Sequence, residues 1–510
     1  MAMTETSDYL PYLIYDAAQV GALDKRFVEE FGVDGFELMQ RAARAAYDEL
    51  AQRWPMPGRL VAFCGPGNNG GDGALVACRA MQAGWDVTLI APLDLSKASG
   101  DAARAFDVYR EAGGEVRDFV DERIDADLIV DALFGTGLNR EVSGPMAEAI
   151  DRINQASERG VGVLAIDIAS GVDASTGRNW GRAVIADTTV SFIGLKLGLL
   201  TGDGAAYCGE LAFDDLGAPD ALYENQPHVA RRITHRDLRH VLPARPKGAH
   251  KGHNGHVLCV GGGRGMGGAI RMSAEAALRA GAGRVSVACH DDHAGAMSQA
   301  RPELMCQGLP ADPSVGDAAA QVDALIEAAS VIAVGPGLGS GAWGDALWRR
   351  VLESDRPLVV DADALNRLAA SPVDRENWIL TPHPGEAARL LGCSTADIVA
   401  DRVQAARRLA ERYRAVVTIK GAGTLIATPD ELWLCTQGNP GMAVGGMGDL
   451  LTGVIAGFAA QGMTLAEAGV FGVYAHALAG DEAATGDGER GLLPSDLLPC
   501  IRRQANPQRT

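Results

Sequence analysis

Between residue 59 and about residue 213, short β-branched and apolar runs alternate with longer stretches whose apolar positions recur at three- and four-residue spacing. The runs are RLVAFC, DVTLI, DLIVD, GVLAID, DTTVSFI and GELAFDD. Strand-length runs alternating with helical patterns predict βαβ units and a mostly parallel sheet with helices on its faces. Residues 16–50 carry apolar positions at helical spacing, broken at Gly32 to Gly35, which predicts two helices ahead of the sheet. Residues 218–255 then hold four prolines and no sustained period. Beyond them the alternation restarts with HVLCVGG, GRVSVAC, SVIAVGPGLG, PLVVDADAL, WILTPHPGE, AVVTIKGAGT, TLIAT and ELWLC. The pattern predicts two α/β domains, residues 1–224 and 225–510, the first a Rossmann-like doubly wound sheet. The apolar, small-residue-rich segments that follow Asn439 read as buried helices rather than membrane spans, because Asp449 and polar breaks interrupt them.

A chain of 510 residues exceeds what one hydrophobic core usually serves, in keeping with two domains. The net charge of -19 opposes binding to nucleic acid or anionic lipid unless a local basic patch exists. RRITHRDLRH is the one concentration of basic residues, and it reads as a solvated linker. Nine scattered cysteines without a C-x-x-C pair predict neither a zinc site nor a disulfide framework. The first ten residues lack the basic start and apolar core of a signal peptide, so a cytosolic location is expected.

Ligands of doubly wound sheets bind outside the carboxyl ends of the strands. Three such ends are rich in polar groups. CGPGNNGGDG, with Asn68, Asn69 and Asp72, follows RLVAFC; Asp131 ends DLIVD ahead of ALFGTGLNRE; Asp167 ends GVLAID ahead of IASGVD. Glycine turns at helix N-termini suit a phosphate, and the side-chain oxygens suit a hard cation. Lys196, between apolar neighbours in FIGLKLGLL, is expected to be a partly buried amine able to take part in proton transfer.

In the second half, GGMGDLLTG sets glycine turns before Asp449 at the start of an apolar helix. Amides there form an anion hole beside a carboxylate, which suits phosphoryl transfer to a hydroxyl whose proton Asp449 accepts. TIKGAGT offers Lys420 and backbone amides as a phosphate cradle. His383, between two prolines, is either aimed at a ligand or structural. Asp361 and Asp363 either orient magnesium or end a strand.

The motifs LMQRAA, CGPGNNGGDG, DALFGTGLNRE, DIASGVDASTG and FIGLKLGLL resemble, in order, the YjeF-type N-terminal domain of NAD(P)H-hydrate epimerases, over residues 10–218. Where that family has LMERAG, this chain has Gln40 and Ala43. The set KGHNGHVLCVGG, GMGGAIRMSAEAALRAGAG, GPGLG, DADALN, TPHPGE, KGAGT and NPGMAVGGMGDLLTG resembles the ribokinase-like NAD(P)H-hydrate dehydratase domain, over residues 230–500.

The resemblance implies a bifunctional enzyme that interconverts the R and S hydrates of NAD(P)H and dehydrates the S form with ADP, releasing AMP and phosphate. It implies an epimerase substrate site of Asn68, Asn69, Gly70, Gly71, Asp72, Gly135, Thr136, Gly137, Leu138, Asn139, Arg140, Glu141 and Asp167. Asp131 and Lys196 are its catalytic candidates, and Asn69, Asp131 and Ser170 would hold K+. In the second domain Ala269, Gly339 and His383 would contact the hydrate, and Lys420, Gly421, Ala422, Gly423, Thr424 and Gly448 the adenine nucleotide. Asp449 would act on the reacting hydroxyl, and Mg2+ would accompany the nucleotide. The family further implies a homo-oligomer, with a tetramer as the candidate. Two rival readings are a small-molecule kinase of the same fold for the second domain and a scaffolding module for the first.

Overall fold

The computed structural model describes residues 10–120 and 123–507. The reading of the first ten residues as lacking a signal sequence therefore lies almost wholly outside the described residues. The chain divides into two compact units, with the division along the chain between Ala230 and Arg231.

The N-terminal unit is built on seven parallel strands in the spatial order 115–118, 86–91, 59–64, 128–132, 162–166, 188–192, 210–214. All six predicted runs are strands; Glu115–Asp118, with three of its four residues exposed, had too little apolar pattern to be read. Strand order reverses between Arg59–Cys64 and Leu128–Ala132, which is where a doubly wound sheet opens its crevice. The two predicted leading helices are Ala17–Glu29 and Gly35–Arg53, capped by Asp16 and Asp34. A short parallel pair, Leu13–Tyr15 with Leu195–Lys196, places Lys196 beside Tyr15.

In the C-terminal unit parallel strands run in the order 305–309, 284–290, 256–260, 331–334, 358–360, 378–380, 416–419. Thr424–Ala427 and Leu432–Cys435 continue the sheet antiparallel. Against it packs an apolar helix, Met447–Ala460, whose Gly453 and Gly457 lie against the helix Gly267–Ala280 so closely that a Cβ at Gly453 would stand 2.0 Å from the Ser273 carbonyl oxygen. The second small-residue-rich segment forms the helix Leu465–Asp487. Among the described residues no helix is long and apolar enough to cross a membrane.

The linker expectation for RRITHRDLRH requires correction. Ala230–Arg232 is a strand paired in parallel with Leu432–Cys435, and Arg232 is 1% exposed. His235–Val241 is a helix closed by a Thr234/Asp237 capping box, with Leu238 fully buried. Two-residue ladders and a two-turn helix are too short to leave a period in the sequence, and an arginine inside a strand masks its burial.

Candidate functional sites

The strand-to-helix connection that follows Cys64 is shaped by contacts that exclude side chains. The helix Asn68–Gln82 begins at Gly67 without a side-chain cap, so its first-turn amides face outward. A Cβ on Gly70 would lie 1.8 Å from the Gly65 carbonyl oxygen, and one on Gly73 would lie 2.5 Å from the Ala132 Cβ. These glycines seat the helix against its own turn and the neighbouring strand. Gly67 differs, having nothing within 4 Å of where a Cβ would be. Only part of the glycine cluster thus leaves room for a ligand, a division that composition could not reveal.

The connection opens into a cleft of about 920 Å³. Asn68, Asn69, Gly70, Asp72, Gly135 to Arg140, Asp167 and Lys196 line it; Gly71, Glu141, Asp131 and Ser170 do not. Gly71 is buried against Met39 and Ala102, and Glu141 is exposed. Gln40 and Ala43 are also absent from its wall, although Met39 and Ala42 belong to it.

Asp131 and Ser170 are fully buried beneath this cleft. Asp131 accepts the Ser170 amide at 2.8 Å and the Leu133 amide at 3.3 Å; burial still pushes its carboxyl up to about 6. Ser170 Oγ accepts the Phe134 amide at 2.9 Å, and Asn69 Nδ2 donates to the Phe134 carbonyl at 2.7 Å. That orientation leaves Asn69 Oδ1 buried without a hydrogen-bond partner among the described residues. An orphaned amide oxygen near a buried carboxylate and a hydroxyl is a donor set that fits a hard cation.

Lys196, expected to be partly buried, is completely so. Its Nζ donates to Asp167 Oδ1 at 2.5 Å, Ser191 Oγ at 3.0 Å and the Phe192 carbonyl at 3.1 Å. Asp167 itself sits at φ +66°, a left-handed conformation that aspartate tolerates and that turns its carboxylate to the ammonium. Around this pair stand two more carboxyls. Burial, followed by repulsion from Asp167 and Asp24, holds the Asp72 carboxyl well above the ordinary range. Asp24, on the helix Ala17–Glu29, is pushed up to about 6 by burial and by Asp167, against the pull of Lys196. Sequence reasoning passed over Asp24; the signal was a carboxylate in the stripe Val20, Asp24, Val28, all three of which line the cleft.

The second site gathers at strand ends of the C-terminal unit. Asp449 lies in the first turn of Met447–Ala460, whose cap, Gly446, has φ +99°. A Cβ at Gly446 would meet Met272 at 2.7 Å, and one at Gly448 would lie 3.3 Å from the Lys420 ammonium. Lys420 Nζ pairs with Asp361 Oδ1 at 2.7 Å and lies 3.8 Å from Glu386 Oε2. Burial opposes its charge, but those carboxylates more than offset burial and raise its pKa. Burial and then Asp361 push Asp449 up to about 6, with Lys420 acting the other way. Ser273 Oγ fixes the backbone of Asp449 through its carbonyl at 2.7 Å.

The open alternatives for the remaining acids divide. Asp361 is buried and held by Lys420 and by Thr452 Oγ1 at 2.9 Å, while Asp363 accepts the Gly339 amide at 2.7 Å. Asp361 directly follows the strand Leu358–Val360, and no group of three His, Cys, Asp or Glu residues suited to a metal occurs among the described residues. His383 caps the helix Pro384–Leu391: its Nδ1 accepts the Gly385 amide at 3.0 Å, and its ring is half exposed. Ala269 lies within the first turn of Gly267–Ala280, 3.3 Å from where a Cβ on Gly337 would stand.

Lys420, Gly421, Ala422 and Gly423 form the turn between two strands, and Thr424 opens the second of them. A buried arginine that sequence reasoning missed, Arg402, braces the turn by donating to the Ala422 and Ile419 carbonyls.

Residues 35–198 match the family model of the YjeF-related protein N-terminus, and residues 257–503 match that of NAD(P)H-hydrate dehydratase. The chain is 44% identical over 497 residues to the bifunctional NAD(P)H-hydrate repair enzyme Nnr of Coxiella burnetii, covering 97% of this chain and 100% of the relative. Nnr of Escherichia coli K12 is 40% identical over 503 residues, covering 98% and 95%. Among solved structures, a ribokinase-like superfamily protein from Enterococcus faecalis V583 is similar at 30% identity and a TM-score of 0.50, across 54% of this chain and 95% of that one.

Proposed function

The chain belongs to the family of bifunctional NAD(P)H-hydrate repair enzymes, and we propose from that premise how its two sites divide the chemistry. It is an enzyme of NAD(P)H-hydrate repair. The N-terminal unit interconverts the R and S hydrates in the Asn68–Asp167 cleft, and the C-terminal unit dehydrates the S hydrate with ADP, releasing AMP and phosphate. The observation that carries the second assignment is Asp449 in the first turn of a glycine-capped helix, with the Lys420 ammonium beside Gly448.

Hydration leaves a hydroxyl on C6 of the nicotinamide ring, and hydroxide is a poor leaving group at neutral pH. Asp449, with a carboxyl near 6, is mostly ionised at pH 7 and accepts the hydroxyl proton as the oxygen takes a phosphoryl group. Lys420 and the amides of the segment Lys420–Thr424 and of Gly448 stabilise the charge on the transferring group. The ring nitrogen then expels phosphate, and loss of the C5 proton restores the reduced nicotinamide. Ala269, Gly339 and His383 border the hydrate in this reading. The acidic residues fit Mg2+ as a partner of the nucleotide phosphates rather than as an all-protein site, the way this ion is commonly held.

In the N-terminal unit the hydrate lies along Asn68–Asp72 and Gly135–Glu141, with Asp167 and its partner Lys196 at the ring. K+ would be held by Asn69, Asp131 and Ser170, where it would supply positive charge under the cleft; the orphaned Asn69 Oδ1 supports that placement. All nine cysteines lack a disulfide, which supports a cytosolic setting, and the family supports a homo-oligomer, with a tetramer as the candidate.

The test is incubation of an R/S hydrate mixture with ADP. Reduced-nicotinamide absorbance should return in two phases and reach completion, with AMP and phosphate in step. A persistent phosphorylated product would make the C-terminal unit a kinase. Arrest after the S fraction would leave the N-terminal unit without epimerase activity.

A further inference from the structure

We infer that Asp24, on the helix Ala17–Glu29, is the carboxyl that transfers the proton in epimerisation. This rests on reading the N-terminal cleft as the epimerase site. Asp24 shares the cleft wall with Asp72, Asp167 and Lys196. Asp167 is committed to Lys196, whose ammonium is in turn saturated by Ser191 and the Phe192 carbonyl. Asp131 lies beneath the cleft rather than on it, committed to backbone amides. Asp24 has no hydrogen bond or ion pair among the described residues, so its oxygens are available to a ligand. Asp72 is also uncommitted, but burial and two like charges hold its carboxyl well above the ordinary range, whereas a catalytic group must both release and recover a proton. A carboxyl near 6 can do both close to neutrality.

The step balances without a redox partner. Asp24 protonates the C6 hydroxyl; the C6–O bond breaks with its electron pair leaving on water, while the ring nitrogen lone pair forms a C6–N double bond. Water adds to the opposite face of C6 and returns its proton to Asp24. The charged and titratable groups that face Asp24 or share its cleft are Lys25 and Glu29 from its own helix, Asp72, Asp101, Arg140, Asp167, Lys196 and the phenol of Tyr223.

The experiment uses the full chain, an R/S hydrate mixture and ADP, and reads the slow phase that follows exhaustion of the S form. Asp24→Asn should slow that phase on the order of a hundredfold and leave the first phase unchanged. Asp24→Glu, which keeps the carboxyl, should retain at least about a tenth of the rate, a result that also excludes misfolding as the cause. Because the acid must be protonated, the wild-type slow-phase kcat/KM should fall as pH rises through about 6, and Asp24→Asn should lose that limb. A slow phase within about threefold of wild type in Asp24→Asn, or Asp24→Glu as slow as Asp24→Asn, overturns the assignment. A wild-type slow phase no faster than spontaneous exchange of the epimers would instead sink the epimerase reading, and the assignment with it.

Discussion

Replacing Gly70 with alanine tests the packing role assigned to the glycine-rich turn. The added Cβ would stand 1.8 Å from the Gly65 carbonyl oxygen, whereas real Cβ atoms essentially never come under 3.0 Å, so the backbones must part by at least 3.0 − 1.8 = 1.2 Å. No side chain can rotate to relieve this contact, because both partners are main chain. Overpacking of this kind costs roughly 1–3 kcal/mol. For a unit of this size that lowers Tm by roughly 2–12 °C. The larger effect falls on chemistry: Asn69 and Asp72 ride on the displaced turn, and a misplacement of about 1 Å costs on the order of a hundredfold in rate. Gly67→Ala is the matched control for packing, since Gly67 has φ -91° and open space at its Cβ. It should keep the wild-type Tm and lose activity only if a ligand approaches that backbone closely. The assay pairs thermal unfolding with the two-phase hydrate reaction, in which Gly70→Ala should suppress the slow phase and spare the fast one. Wild-type Tm and slow-phase rate in Gly70→Ala would refute the close-packing argument.

Asp449→Asn should reduce the ADP-dependent phase on the order of a hundredfold while equilibrium binding of AMP survives; near-normal turnover would remove Asp449 from the mechanism. The wild-type rate of that phase should rise with pH through about 6 and level above it, since a base raised to that value gains its charge there; a flat profile from pH 5 to 8 would contradict this. Asp131→Ala should slow epimerisation, abolish any dependence on K+ and leave dehydration of pure S hydrate intact, whereas equal loss of both activities would indicate misfolding. Arg402→Met removes the brace on the Ala422 and Ile419 carbonyls, so KM for ADP should rise about tenfold with the epimerase phase untouched; an unchanged KM would show that the turn holds its shape without the arginine.

The alternation of strand-length runs with helical periods was enough to read both α/β units, because the buried parallel strands are continuous apolar runs and most of the helices show one apolar face. Asn69, Asp131 and Asp167 stood out for a related reason, since polar residues at the ends of such runs lie toward the carboxyl edge of the sheet, while Asp449 stood out through the glycine turns ahead of an apolar helix. Segments whose burial depends on remote partners left no such mark. Arg232 sits in a three-residue strand that pairs with the remote Leu432–Cys435. Nor could the chain announce which glycines are required by contact: Gly70 and Gly67 look alike in sequence, and only the Gly65 carbonyl, brought back by the turn, separates them. Asp24 lies more than a hundred residues from Asp167 and Lys196, and its neighbours on the helix resemble any amphipathic surface. Its raised pKa arises from desolvation and Coulomb interactions, which depend on distances that folding alone sets, whereas local periodicity reports only which face of an element turns inward.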